Sequence, residues 1–258
     1  MTVELAAQRL GEGPPLIVLH GLFGSGRNWT AVSRKLAERR SVHLLDLRNH
    51  GESPWHAEMS YPLLAADVAA YMDREGIAQA EIMGHSMGGK TAMTLALNEP
   101  ERVTTLVVVD IAPVAYAHSH DGLVASLRGL DLGSLGRRAE ADERLLEAIP
   151  DSVIRGFLLQ NLVTRDGGFA WRLNLAAIAD CMAALLTFPE PDPGAFYDDP
   201  TLFLGGAESD YVLPEYRPAI LNRFPSAEID HLEGTGHWPH AEQPAAFLER
   251  VSDFLELR

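Results

Sequence analysis

The chain has 258 residues, 47% of them hydrophobic and 22% charged, which excludes disordered and fibrous classes and leaves enough length to bury a sizeable core. Its 36 acidic residues exceed its 21 basic ones, and the net charge of −15 repels nucleic-acid phosphates and anionic membrane surfaces. A lone cysteine, Cys181, excludes an internal disulfide and a cysteine-rich zinc site and fits a reducing cytoplasm, while neither a secretory signal nor a membrane span is legible.

In chain order, short β-branched or leucine-rich runs at 16–19, 42–45, 81–83, 104–109, 201–204 and 228–232 read as strands. Several are apolar on both faces, the pattern of strands buried between two helical layers. Helical spacing fills the intervals at 28–40, 62–75, 87–98, 214–224 and 243–257, and Pro62 suits the first turn of the second. The expected fold is α/β, with a mostly parallel, doubly wound sheet. The alternation breaks once, between Asp110 and the proline-rich stretch Pro189-Glu190-Pro191-Asp192-Pro193-Gly194. There Leu123, Leu127 and Leu130, then Phe157, Leu158 and Leu162, keep helical spacing without a convincing strand. This reads as a helical cap at 114–189 inserted into a core made of 1–113 and 190–258.

Gly84-His85-Ser86-Met87-Gly88-Gly89 lies between the strand 81–83 and the helix 87–98, the strand-turn-helix setting of a nucleophile elbow. Glycines two before and two after the serine leave room for a strained turn that exposes Ser86 at the sheet edge. The following helix aims free amides and its positive dipole end at any anion forming there. A serine in an ordinary glycine-rich turn is the competing reading, and the strand-turn-helix setting weighs against it. Just after the first of these strands, His20-Gly21-Leu22-Phe23-Gly24 can present the Leu22 N–H. Together with the Met87 N–H it would hold an oxyanion, while the His20 imidazole reads as structural.

A general base is expected near a later strand end, and Gly234-Thr235-Gly236-His237 supplies one directly after 228–232. His231 and His240 are rivals, but glycines flank neither. The orienting acid has two candidates. Asp110 ends the strand 104–109, and Asp210 follows 201–204, four residues past Gly206. The spacing favours Asp110 and leaves Asp210 as the alternative.

The blocks beginning His20-Gly21-Leu22-Phe23, Asp46-Leu47-Arg48-Asn49-His50-Gly51, Gly84-His85-Ser86-Met87-Gly88-Gly89-Lys90, Asp110-Ile111-Ala112-Pro113 and Gly236-His237-Trp238-Pro239-His240-Ala241-Glu242 together resemble the small α/β-hydrolase esterases of the YbfF type. They are similar as well to abhydrolase domain-containing protein eleven of mammals. The resemblance runs from residue 20 to residue 242. It implies a carboxylesterase with Ser86 as nucleophile, His237 as base and an acid at the strand end matching Asp110. Asp210 stands where this family need not carry an acid.

On this reading no metal or organic cofactor is required, and the partner is a small-molecule ester. The loop from Asp46 to Gly51 is expected to be structural, its charged pair holding a turn beside the site. Leu123, Leu127, Phe157 and Trp171 of the cap either line an apolar pocket or hold the cap helices to the core. Two other readings stand beside the esterase: a cofactor-free perhydrolase or carbon–carbon hydrolase on the same triad, and a non-catalytic binding module on this scaffold.

Overall fold

The computed structural model describes residues 1–117, 120–190 and 192–256. Pro191 of the proline-rich stretch and Leu257 of the expected last helix lie outside the described residues. In chain order the strands are β1 (Ala7–Leu10), β2 (Pro15–Leu19), β3 (Ser41–Leu45), β4 (Ala80–His85), β5 (Val103–Val109), β6 (Leu162–Arg165), β7 (Gly168–Trp171), β8 (Thr201–Gly206) and β9 (Ala227–Leu232). Seven of them form one sheet in the order β1-β3-β2-β4-β5-β8-β9. All its pairings are parallel except that of β1 with β3.

The helices are α1 (Thr30–Leu36), α2 (Tyr61–Arg74), α3 (Met87–Asn98), α4 (Asp121–Gly129), α5 (Arg138–Leu145), α6 (Ser152–Leu159), α7 (Leu175–Leu186), α8 (Arg217–Arg223), α9 (Pro239–Glu242) and α10 (Pro244–Glu256). Strand alternation divides the core between the two faces of the sheet. Ile17, Leu19, Leu106 and Val108 join Leu64, Val68 and Met72 of α2 and Met93 and Leu95 of α3. Leu16, Val18, Val107 and Val109 join Val32 and Leu36 of α1 and Phe247, Val251 and Phe254 of α10. Each such side chain, buried against both neighbours and a helix, contributes about 1.5–3 kcal/mol of transfer free energy, so both helical layers are held from the same strands.

The sequence expectation for the six core strands holds to within a few residues, and three other features differ from expectation. β1 has four residues, half or fully exposed, without β-branched side chains, and it adds antiparallel at the sheet edge. The segment between β5 and β8 also contains the hairpin β6–β7, contrary to the expectation that it held no strand. Asp166 and Gly167 turn the hairpin with φ of 52° and 79°, the two positive values that an Asp-Gly two-residue turn supplies. The expected helix 28–40 is a 3-10 turn, Gly26–Trp29, running into the shorter α1.

Candidate active site

The strand order places β2 between β3 and β4, so the chain winds outward in opposite directions from these central strands. A crevice opens beyond their carboxyl ends at such a switch point. The loop after β2 carries Leu22 and the turn after β4 carries Ser86. Ser86 takes φ 50° and ψ −115°, a strained conformation for a residue with a side chain. Its N–H still donates to the Val109 carbonyl at 3.0 Å, so the sheet holds the turn. A Cβ at position 84 would collide with the Gly88 carbonyl, and one at position 88 with the Leu19 carbonyl. Glycine at both positions is what lets the start of α3 lie directly against the ends of β2 and β4.

Asp110 continues β5 with φ 49° and is fully buried. Its Oδ1 accepts from the Gly206 N–H at 2.8 Å, and its Oδ2 accepts from Ser209 Oγ at 2.5 Å and from His237 Nδ1 at 2.7 Å. That last bond fixes the ring so that Nε2 is the nitrogen free to exchange a proton. Tyr211 stacks on the His237 ring at 4.1 Å. The carboxylate of Glu242 accepts from the N–H groups of Gly236 and Trp238, at 2.6 and 3.0 Å, and clamps the loop on both sides of His237. Ser86 and His237 line the same cavity together with Leu22, Phe157 and Trp238.

The rivals sit elsewhere. Asp210 is exposed. His231 donates from Nε2 to the Val212 carbonyl at 2.8 Å, and His240 stacks on Trp29 at 4.0 Å. His20 is structural as expected: Nδ1 donates to the Gly21 carbonyl and Nε2 accepts from the Leu47 N–H. His50 repeats the arrangement, donating to the Arg48 carbonyl and accepting from the Phe23 N–H. Burial pulls these imidazoles down to about 4 and about 3, so both stay neutral and each can accept a backbone N–H, His20 that of Leu47 and His50 that of Phe23 in the loop that carries Leu22.

The loop from Asp46 is also structural, but its two charges do not pair with each other. Asp46 accepts from the N–H groups of Gly26 and Glu52. Arg48 forms a two-pronged, fully buried pair with Asp67 at 2.6 and 2.8 Å. The partner comes from α2, which the spacing within the loop could not reveal. Of the apolar residues expected in the cap, Leu123 and Phe157 line the cavity beside Ser86. Leu127 is buried in the core, and Trp171 packs on it from β7.

Sequence reasoning passed over His85, the variable residue before the serine. Its Nε2–H donates to the His237 carbonyl at 2.7 Å, which ties the base loop to the turn that holds Ser86. Burial, with His237 and His240 nearby, pushes its pKa well down, so this donor is a neutral ring. Ser209, which donates to Asp110, carries no signal in the sequence, and Glu242 stands there only as part of a motif. Lys90, one turn after Ser86, was not assigned a role. Its Nζ donates to the carbonyls of Val114, Leu186 and Thr187 at 2.9, 3.2 and 2.7 Å. Burial lowers its pKa to about 7, while the three carbonyls and the faces of Tyr61 and Tyr116 favour the ammonium form. Among the described residues, no three His, Cys, Asp or Glu side chains converge as metal ligands, and no helix is long and apolar enough to cross a membrane.

Residues 14–244 match the family model for the alpha/beta hydrolase fold. The chain is 43% identical over 255 residues to the sn-1-specific diacylglycerol lipase ABHD11 of Xenopus tropicalis, covering 95% of this chain and 78% of that protein. It is 35% identical to esterase YbfF of Escherichia coli, covering 96% of each. Among solved structures it is similar to a marine microorganism esterase with a TM-score of 0.94 and 35% identity, over 98% of this chain and 100% of that one.

Proposed function

The chain belongs to the α/β-hydrolase family and is a serine ester hydrolase of the YbfF and ABHD11 type, and from that premise we propose that Ser86, His237 and Asp110 are its catalytic triad. The observation that carries the assignment is the 2.7 Å bond from His237 Nδ1 to the fully buried Asp110, on a ring that shares a cavity with Ser86. Ser86 Oγ attacks the ester carbonyl carbon while His237 Nε2 takes its proton. The N–H groups of Leu22 and Met87 hold the oxyanion of the tetrahedral intermediate. Asp110 stabilises the imidazolium, which returns the proton to the departing alcohol. Water, activated by the same ring, then attacks the acyl-serine and releases the acid.

Residues 114–189 act in this reading as a cap over a core made of 1–113 and 190–258, and the substrate is a small-molecule carboxylic ester. A cytoplasmic setting fits the single cysteine, half-buried and unbridged. The names of the relatives favour ester hydrolysis over the perhydrolase, carbon–carbon hydrolase and binding-module readings. Hydrolysis of a p-nitrophenyl ester panel by wild type and Ser86→Ala tests the proposal. Turnover confined to the wild type, with the same circular dichroism spectrum for both, is expected. A Ser86→Ala protein that keeps most of its activity would overturn the nucleophile assignment.

A further inference from the structure

Two cavities meet at Ser86, and they differ in size and in which part of the machinery they touch. One, of about 30 Å³, is lined by Ser86, Met87, Lys90, Tyr61, Ile111 and Met182, and His237 is not among its walls. The other, of about 310 Å³, has His237 in its wall with Phe23, Leu123, Phe157 and Trp238. Phe157 and Trp238 also border a wider surface groove of about 960 Å³, so the larger cavity leads outward.

The chemistry orients the substrate between them. On collapse of the tetrahedral intermediate, the bond from the carbonyl carbon to the alcohol oxygen breaks. The electron pair leaves with that oxygen, which takes the proton from His237 Nε2, while the bond from Ser86 Oγ to carbon stays. The leaving oxygen must therefore lie on the His237 side, and the acyl substituent points away from it. Building on the triad reading above, we infer that the small cavity by Lys90 is the acyl site and the large cavity by Phe157 is the alcohol site, so that the substrates are esters of short neutral acids with bulky apolar alcohols.

The volume of the acyl cavity, 30 Å³, holds about two water-sized groups, enough for the methyl of acetyl or the ethyl of propionyl. Its polar wall groups are already engaged. Lys90 Nζ directs its three donors to three backbone carbonyls, and the hydroxyls of Tyr61 and Tyr116 donate to the Leu185 and Tyr211 carbonyls, each at 2.6 Å. A carboxylate on the acyl chain would have to compete with those carbonyls for a donor, whereas a neutral apolar chain needs none, which favours neutral acyl groups. The same lysine braces one side of the site. Val114 lies where the chain leaves the core after β5, and Leu186 and Thr187 lie where α7 ends, so one buried ammonium ties both junctions together beside the cavity.

The test uses the full chain and two ester series: p-nitrophenyl acetate, butyrate, octanoate and dodecanoate, then ethyl, benzyl and naphthyl acetates, with dioleoylglycerol as a long-chain natural ester. In wild type, kcat/KM should fall at least tenfold from butyrate to octanoate, and naphthyl acetate should exceed ethyl acetate. Met182→Ala opens the acyl cavity and should raise the octanoate-to-acetate ratio at least tenfold without changing the naphthyl-to-ethyl ratio. Phe157→Ala should do the converse, lowering the naphthyl-to-ethyl ratio several-fold with the acyl profile unchanged. Leu186→Ala, at a half-buried wall residue, replaces Met182→Ala if that protein does not fold. A flat acyl profile in wild type, dioleoylglycerol turned over as fast as butyrate, or effects of the two variants on the opposite series would overturn the assignment. Those outcomes require an active enzyme; a wild type that hydrolyses no ester would instead remove the triad reading on which the assignment rests.

Discussion

Around the carboxyl ends of β2 to β5, side chains are buried and each has several directional partners. Asp110 accepts three hydrogen bonds, and His20 and His50 each use both ring nitrogens. The segment of α4 to α7 is held differently. Val124, Leu127, Leu158 and Ile178 pack into the core, while ion pairs such as Arg137 with Glu143 lie at the surface. A hydrogen-bonded network in low dielectric loses much of its value when one member is removed, whereas packing of similar volumes tolerates exchange. The reaction geometry is thus fixed by the first region, and the shape of the substrate site by the second.

The largest expected break is Ser86→Ala, which should lower kcat by about 10⁶, the scale seen when a triad nucleophile is removed. Steady-state hydrolysis measures it, and circular dichroism should be unchanged because the residue supports a turn rather than the core. Asp110→Asn should cost about 10⁴ in kcat by removing the charge and allowing the wrong tautomer. Asp210→Asn, at an exposed position, should stay within about tenfold of wild type. If Asp210→Asn were the damaged enzyme, the contrast between the sealed and exposed carboxylates would fail.

His85→Phe keeps a ring of similar shape but removes the donor to the His237 carbonyl. The unsatisfied carbonyl and loosened loop should lower kcat by about tenfold to a hundredfold, with KM changed much less. An equal loss in KM would point to substrate contact instead.

The neutral imidazoles give the network a pH dependence of stability. His20 is held at about 4, and His50 and His240 at about 3, against 6.5 in the unfolded chain. As pH falls below 6.5 the unfolded state binds protons first, so stability is full above 6.5 and is lost towards 4 and 3. Between pH 6.5 and 5 each group costs about 2 kcal/mol, which urea unfolding reads directly. His240→Phe, which preserves the stack on Trp29, should reduce that loss by about one group's share. The smallest effect is expected from Arg137→Ala in the outer segment, below about 1 kcal/mol in stability and none in kcat.

Much of the first region was legible because its rules are local. The glycines around Ser86 and the glycines before His237 mark turns, and apolar runs mark buried strands. Asp110 could be favoured from its position at a strand end, but its three donors come from the end of β8, the loop after β8 and the loop after β9, contacts between distant parts of the chain. Arg48 shows the same limit: its charge was read correctly as structural and its partner, Asp67 of α2, was out of view. In the second region the hairpin was missed although Asp166-Gly167 is a strong turn signal, because the helical spacing of the leucines before it dominated the reading. The role of His85 was hidden by its place as the variable residue of a motif.

The most direct measurement is covalent labelling with a fluorophosphonate, followed by mass spectrometry of the digested protein. The account predicts one adduct, on the peptide containing Ser86, formed rapidly in wild type and Asp210→Asn, far more slowly in Asp110→Asn, and not at all in Ser86→Ala. An adduct on another residue, or labelling of Ser86 that proceeds equally fast without the Asp110 carboxylate, would contradict it.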